Sequence, residues 1–235
     1  MWTDTLRRFG LVALATDLTI EGDAATLMPP GTRLHVTRIA FDNPTTRENL
    51  MATGPRLRAA VDLLVPGVAL EGIGFGCTSA SAVLGHRIDE LAADGRAPVT
   101  TPAGAALRGF GALGVARVAL MTPYLAATTD LVADFFEANG VQVVRRTSMG
   151  HADDRDMAML SASEIIEMAC ASDHPDAEAL FLSCTALPAL PVIETLEARL
   201  GKPVLTANQS LFWAMLDQAL LPAAGPGALF RCRTW

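Results

Sequence analysis

The strongest constraint on the fold is that one pattern of strands and helices occurs twice along the chain. Short apolar runs, typical of buried strands, alternate with longer stretches in which apolar residues recur every three to four positions. Such alternation is typical of right-handed β-α-β units around a parallel sheet. The predicted strands are 9–14, 33–41, 69–76 and 97–101, then 117–122, 141–146, 178–183 and 202–207. The predicted helices are 46–65, 79–94, 125–138, 160–172, 187–200 and 208–221.

Matching residues in the two halves indicate an internal duplication. Asp17 follows the first strand and precedes Cys77 by 60 positions, and Tyr124 follows the fifth strand and precedes Cys184 by 60. Each cysteine is followed directly by a threonine, and each half closes on a Pro-Val strand that ends in threonine. We therefore predict an α/β fold of two pseudo-symmetric Rossmann-like lobes, each a four-stranded parallel sheet flanked by helices.

The duplication also suggests where the lobes begin and end. The expected lobes are 1–110 and 111–220, with a boundary near a glycine-rich turn at 109–114. The last residues, 221–235, are interpreted as a tail that can pack back on the first lobe.

Polar and reactive side chains cluster just past the predicted strands. These residues are Asp17, Cys77, Thr101, Tyr124, Cys184 and Asn208. Parallel sheets bind ligands at the carboxyl ends of their strands, and a pseudo-twofold axis can turn two such edges toward each other. We therefore expect the active site between the lobes, with the cysteines of the two halves facing each other.

The two repeated cysteines have the chemistry of a reactive site. Cys77 precedes Thr78 and Ser79, small hydroxyl residues that suit the start of a helix, and Cys184 with Thr185 is assigned the same strand-to-helix setting. A helix N-terminus lowers the pKa of a cysteine, and its free N–H groups can hold a carboxylate or a developing oxyanion. The alternative is that both are buried core cysteines, which the repeated Cys-Thr pair disfavours. Cys170 and Cys232 have no counterpart in the other half and are interpreted as structural.

Composition narrows the class of partner. The net charge of -7 argues against a nucleic-acid-binding surface, and no apolar run approaches the roughly 18 residues that cross a membrane. The cysteines lack metal-type spacing, and the glycine-rich segments match neither a dinucleotide-binding nor a P-loop motif. We therefore expect no metal site and no dinucleotide or nucleoside triphosphate as a cofactor. The apolar run after Arg8 is too short for an export signal, which favours a cytoplasmic location.

The combination resembles the aspartate/glutamate racemase superfamily. Within it, the chain is similar to the branch of maleate cis–trans isomerases, arylmalonate decarboxylases and ectoine-utilisation (EutA-type) proteins. The resemblance covers nearly the whole chain and rests on the segments 14–21, 76–79, 122–124, 183–185 and 207–209. It implies two pseudo-symmetric lobes, a site between them and cofactor-independent chemistry.

The resemblance also implies roles for individual residues. Cys77 would attack the substrate double bond and Cys184 would assist, while Tyr124 and Asn208 would bind carboxylates. Contacts with substrate are also expected from Asp17, Thr78, Ser79 and Thr185. Arylmalonate decarboxylases lack the first cysteine, so the presence of both here favours an isomerase or a racemase.

Asp17 departs from the maleate isomerase pattern, which has asparagine in this loop. A carboxylate there would repel a substrate carboxylate, so Asp17 is protonated, meets an ammonium group, or tunes Cys77. We expect an isomerase or epimerase for a small carboxylate or amino-acid-like substrate, EutA-like or maleate-isomerase-like, in a homo-oligomer (dimer or tetramer). The alternatives are an amino-acid racemase with two cysteine bases, an arylmalonate-type decarboxylase, and a non-catalytic two-lobed binding module.

Overall fold

Two parallel sheets with the same strand order form the centre of the molecule. The computed structural model describes residues 6–88 and 97–232. The first sheet contains β1 (Arg7–Leu14), β2 (Thr32–Ile39), β3 (Gly72–Gly76) and β4 (Val99–Thr100), in the order β2-β1-β3-β4. The second contains β5 (Arg117–Thr122), β6 (Gln142–Ser148), β7 (Ala179–Leu182) and β8 (Val204–Thr206), in the order β6-β5-β7-β8. All their pairings are parallel, which confirms the predicted α/β fold of two four-stranded lobes.

Helices connect and cover the strands. Before β5 they are α1 (Ile20–Leu27), α2 (Arg47–Met51), α3 (Gly54–Asp62), α4 (Thr78–Leu84) and α5 (Pro102–Leu113). After β5 they are α6 (Ala126–Ala138), α7 (Asp154–Ala158), α8 (Ala162–Ala171), α9 (Ile193–Leu200), α10 (Ala207–Gln218) and α11 (Ala228–Arg231). The predicted helix 46–65 is two helices, and the predicted helix 79–94 lies partly outside the described residues. None of the helices in the described ranges is long and apolar enough to cross a membrane.

The glycine-rich segment at 109–114 is a helix, so the predicted turn is wrong. Gly109 lies inside α5, and the chain turns only at Gly114, where φ is 68°. Glycine is needed at 109 for close packing, because a Cβ there would lie 2.9 Å from the Leu205 side chain of β8. Gly109 therefore allows the helix to approach the second sheet closely.

The last helix of each lobe packs on the sheet of the other lobe. Phe110 of α5 contacts Phe181 of β7 edge to face, with ring centroids 5.7 Å apart. Conversely, the Met215 sulfur of α10 lies 2.9 Å from where a Cβ on Gly74 of β3 would be. Leu11 of β1 joins the large core that includes α5 and α10, whereas the next residue, Val12, joins a separate core under α2 and α3. Because α5 and α10 each pack on the sheet of the other lobe, the two lobes share a common core.

The C-terminal segment packs against both lobes. Leu229 of α11 is buried and contacts α5 at Gly109, and Gly225 lies beside Leu27 of α1. The lobe bounds 1–110 and 111–220 remain a proposal, because α5 follows the first sheet in the chain and packs on the second.

Candidate active site

Cys77 sits at the start of a helix, as the sequence predicts. It is the N-cap of α4, between Gly76 of β3 and Thr78. Its sulfur accepts a hydrogen bond from the Ala80 N–H at 3.4 Å and lies 3.7 Å from the Ser79 hydroxyl. The sulfur is therefore held by the backbone of its own helix.

Cys184 lies in an irregular loop, so the predicted helix start at this residue is wrong. It has a φ of 143°, a region that side chains rarely occupy, and the chain stays irregular until Leu190. Pro188 disfavours a helix here, because proline restricts the residue before it and donates no backbone hydrogen bond. A non-glycine residue in this φ region costs on the order of 1–3 kcal/mol and persists only when its surroundings hold it.

The loop after Cys184 is held by side chains distant in sequence. The Asn208 amide of α10 donates to the Thr185 carbonyl at 2.8 Å, and the Thr19 hydroxyl donates to the Ala186 carbonyl at 2.6 Å. The Thr185 hydroxyl in turn donates to the Gly76 carbonyl at 3.3 Å. Residues of both lobes therefore fix the position of Cys184.

Both cysteines line one small cavity between the lobes. The lining residues are Leu14, Phe41, Thr45, Cys77, Thr78, Ser79, Tyr124, Asp154, Cys184, Thr185 and Ala186. The cavity measures about 10 Å³, which is about the space that one water molecule needs. This is a closed state, and the cavity must enlarge before it can hold a carboxylate substrate.

Six of the eight residues predicted for the site line this cavity, and two lie elsewhere. Cys77, Thr78, Ser79, Tyr124, Cys184 and Thr185 belong to the lining. Asp17 and Asn208 are buried but are not among the lining residues. Asn208 uses its amide N–H groups on Asp23 and the Thr185 carbonyl, both at 2.8 Å, so it positions the loop in this closed state. Thr101 caps α5 and lines a different pocket.

Burial in the closed cavity favours the protonated forms of the two thiols and of the Tyr124 phenol. Burial raises the pKa of the Cys77 thiol to about 11, although hydrogen bonds from Ala80 and Ser79 oppose the shift. Burial also raises the pKa of Cys184 strongly, and the same effect raises that of the Tyr124 phenol. The lowered thiol pKa values expected from helix N-termini are therefore wrong for this state, because desolvation outweighs the helix effect.

Asp17 caps α1 and keeps one oxygen unpaired. Its Oδ1 accepts hydrogen bonds from the Thr19 and Ile20 N–H groups at 2.8 and 2.9 Å. Its Oδ2 has no hydrogen-bond partner among the described residues, although only 1% of the residue is exposed. Burial raises the pKa of Asp17, the Ile20 and Thr19 N–H groups and the nearby Thr185 hydroxyl oppose the shift, and the charge of Asp154 adds to it.

Asp154 is a site residue that the sequence does not reveal. It is the first residue of α7, it lines the cavity, and it is buried. The Thr16 hydroxyl donates to its Oδ2, and the Asn43 amide donates to its Oδ1 at 2.7 Å. The only sequence signal is its place in the repeat, because Asp154 follows β6 much as Asn43 follows β2.

Comparisons with known proteins agree with this geometry. A family model described as arylmalonate decarboxylase (Amdase) matches residues 65–230. The chain is 31% identical to a maleate isomerase of Nocardia farcinica over 238 residues, which cover 95% of this chain and 94% of that protein. It is 32% identical to the arylmalonate decarboxylase of Bordetella bronchiseptica over 118 residues, 49% of each chain.

Solved structures show the same likeness. A mutant of Nocardia farcinica maleate cis-trans isomerase with a covalently bound succinylcysteine intermediate superposes with a TM-score of 0.88 at 28% identity, covering 97% of this chain and 100% of that one. The maleate isomerase of Pseudomonas putida S16 superposes with a TM-score of 0.84 at 26% identity, covering 96% and 98%. From its sequence, its two-lobed fold and these relatives, the chain belongs to the Amdase family, within the aspartate/glutamate racemase superfamily.

Proposed function

We propose that this chain is a cofactor-independent isomerase of a small carboxylate, with Cys77 as the nucleophile and Cys184 as its partner. The observation that carries the proposal is that the two cysteines, at the ends of equivalent strands, line one cavity between the lobes. The Nocardia relative with a covalently bound succinylcysteine intermediate supports the same chemistry.

The reaction needs only the two thiols and hydrogen-bond donors. The Cys77 thiolate forms a C–S bond to one alkene carbon, and the π electrons move to the neighbouring carbon, where the adjacent carboxylate delocalises them. The former double bond is then single and can rotate. When the electrons return, the double bond re-forms in the other geometry and the C–S bond breaks to release the thiolate. The Cys184 thiol can lend a proton to the carbanion and take it back.

Neutral donors around the cavity suit the negative charge that develops on the substrate. The first backbone N–H groups of α4, at Thr78 and Ser79, lie beside Cys77 and can bind a carboxylate. The raised pKa of Tyr124 keeps its phenol protonated and able to donate. A hydrogen bond to a charged group typically contributes about 1.5–3 kcal/mol, so a few such donors are enough to orient a small substrate.

A two-base racemase is the second candidate. The thiols lie at the strand ends of different lobes, the arrangement that deprotonates and reprotonates opposite faces of one carbon. The buried carboxyl of Asp17 favours an amino-acid-like substrate, as in the ectoine-utilisation proteins that the sequence resembles. A cytoplasmic location and a homo-oligomeric state complete the proposal.

Mass spectrometry of substrate-treated protein tests the proposal. We expect incubation of Cys184→Ser with maleate and with amino-bearing carboxylates to leave a substrate-mass adduct on Cys77, because the altered partner slows release of the intermediate. Cys170→Ser is the matched control and should turn over substrate like the native chain. Deuterium exchange at Cα in heavy water without an adduct would favour the racemase. The absence of both an adduct and deuterium exchange would contradict the proposal.

A further inference from the structure

One buried carboxyl group lines the cavity between the lobes, and a second lies outside the lining but near enough to act on Cys77. The charges of both Asp17 and Asp154 act on Cys77, and Asp154 lines the cavity itself. Among the described residues that line it there is no arginine, lysine or histidine. Arg38 reaches the same loop, but its guanidinium donates to the Asp17 backbone carbonyl at 2.9 Å and pairs with Glu21. A purely anionic substrate would therefore meet repulsion at the carboxylates and no cation to offset it.

Buried oxygen atoms near these carboxylates lack hydrogen-bond donors. Thr45 and Thr78 line the cavity, are at least nine-tenths buried, and have hydroxyls with no partner in the described part of the chain. The Oδ2 of Asp17 is in the same condition, and the nearby Thr185 hydroxyl already donates to the Gly76 carbonyl. Buried polar atoms are normally paired, and a ligand with several donors would complete this set of acceptors. A protonated amine has three N–H donors and no acceptor.

We infer that Asp17 and Asp154 form a subsite for the protonated amino group of the substrate, with the Thr45 and Thr78 hydroxyls as additional acceptors. The substrate is then an amino-bearing carboxylate, and a plain dicarboxylate is disfavoured. The inference rests on the proposed function, since it concerns the substrate of the same pair of cysteines.

The subsite also links binding to activation of the nucleophile. In the closed cavity burial raises the pKa of Cys77, and the carboxylate charges of Asp17 and Asp154 add to this effect. A bound ammonium group would offset those charges and favour the thiolate. A substrate with an amino group would therefore help to generate the nucleophile, whereas one without it would leave the thiol protonated.

Pairs of ligands with the same carbon skeleton, one with and one without an amino group, test the subsite. The probes are succinate with aspartate, and glutarate with glutamate, which differ only in the amino group. Protection of Cys77 from iodoacetamide, read by peptide mass spectrometry, reports binding without requiring turnover, because a ligand seated in the cavity excludes the reagent even where it favours the thiolate. In the native chain we expect the amino member of at least one pair to protect at about tenfold lower concentration than its partner, as is typical for a desolvated charge pair.

Variants then assign the effect to the two carboxylates. Asp17→Asn and Asp154→Asn should each reduce the preference within the pair to about threefold or less, and thermal melting reports whether each variant folds. Asp17→Asn keeps the acceptor that caps α1, so it carries the test if Asp154→Asn fails to fold. Asp156→Asn changes an exposed residue of the same helix as Asp154 and should keep the native preference.

Two outcomes would overturn the inference. One is equal protection within both pairs, or no protection by either amino compound up to its solubility limit. The other is a preference that survives both substitutions. If the native protein shows no preference for the amino compounds but forms an adduct between Cys77 and maleate, this inference is wrong while the proposed function still holds. Full turnover by Cys77→Ser would instead remove the proposed function.

Discussion

The turns at Cys77 and Cys184 begin with the same Cys-Thr pair at the ends of equivalent strands, but they are held in different ways. Cys77 caps α4 and is fixed by the helix that it begins. Cys184 has a φ of 143° and depends on hydrogen bonds from Thr19 and Asn208. The first turn is therefore determined locally and the second by the contact between the lobes. We expect the position of Cys184 to respond more strongly to changes in lobe packing.

The largest expected effect is on thiol reactivity, where the two turns should behave alike. Burial raises the pKa of Cys77 to about 11, so the thiol form dominates at pH 7. In the unliganded chain Cys77 and Cys184 should therefore react with iodoacetamide more slowly than the half-buried Cys170. The rate at Cys77 should rise about tenfold per unit between pH 7 and 9, measured by peptide-resolved labelling. Faster labelling of Cys77 than of Cys170 at neutral pH would contradict the closed, desolvated site.

Asn208→Ala should separate the two turns. It removes the hydrogen bonds to the Thr185 carbonyl and to Asp23, and the free energy of unfolding should fall by about 1–3 kcal/mol. Labelling of Cys184 should speed up while that of Cys77 stays unchanged, because α4 does not depend on Asn208. Denaturant unfolding and peptide-resolved labelling measure the two effects.

Ser210→Ala is the matched control for this prediction. Ser210 is buried two residues further along α10, and its hydroxyl has no partner among the described residues. Its loss should change stability by no more than about 0.5 kcal/mol. Equal acceleration of both cysteines in Asn208→Ala would show that the two turns are coupled, against the comparison drawn above.

The narrowest expected effect is a pH dependence of the free energy of unfolding on the Cys184 side. Burial raises the pKa of Asp23, which pairs with Asn208, from 3.8 to about 6. The folded state therefore holds this proton more tightly than the unfolded state, so stability falls as the pH rises from about 4 to about 6. Asp23→Asn should raise the free energy of unfolding by about 1–3 kcal/mol at pH 7.5, with the gain disappearing near pH 4. A variant that is less stable than the native chain at pH 7.5 would contradict this sign.

The eight strands and their division into two sheets could be predicted from the sequence because apolar periodicity and repetition are local signals. Helices with a weaker pattern, such as α1 and α5, could not. In α5 the glycine at 109 serves a close approach to Leu205, a partner nearly a hundred residues away, and reads in isolation as a turn.

The site residues likewise include some that local sequence signals predict and some that they do not. The repeated cysteines and Tyr124 could be identified because each follows a strand at a matching place. Asp154 could not, since its role depends on contacts with Thr16 and Asn43 more than a hundred positions away. The raised pKa of Cys77 could not be predicted either, because the sequence shows the helix start but not how completely the lobes exclude water from the thiol.

The packing of α5 and α10 on the sheets of the opposite lobes determines how the protein can be divided into fragments. A cut in the short turn after Gly114 would leave the first fragment with α5 but without the sheet that α5 covers. The same fragment would lack α10, so the face of its own sheet around Gly74 would be open to water. Neither half can then bury its apolar surface alone, and independent folding of the halves is disfavoured. Co-expressed, the two fragments present complementary surfaces and form the basis of a split enzyme whose activity reports their reassembly.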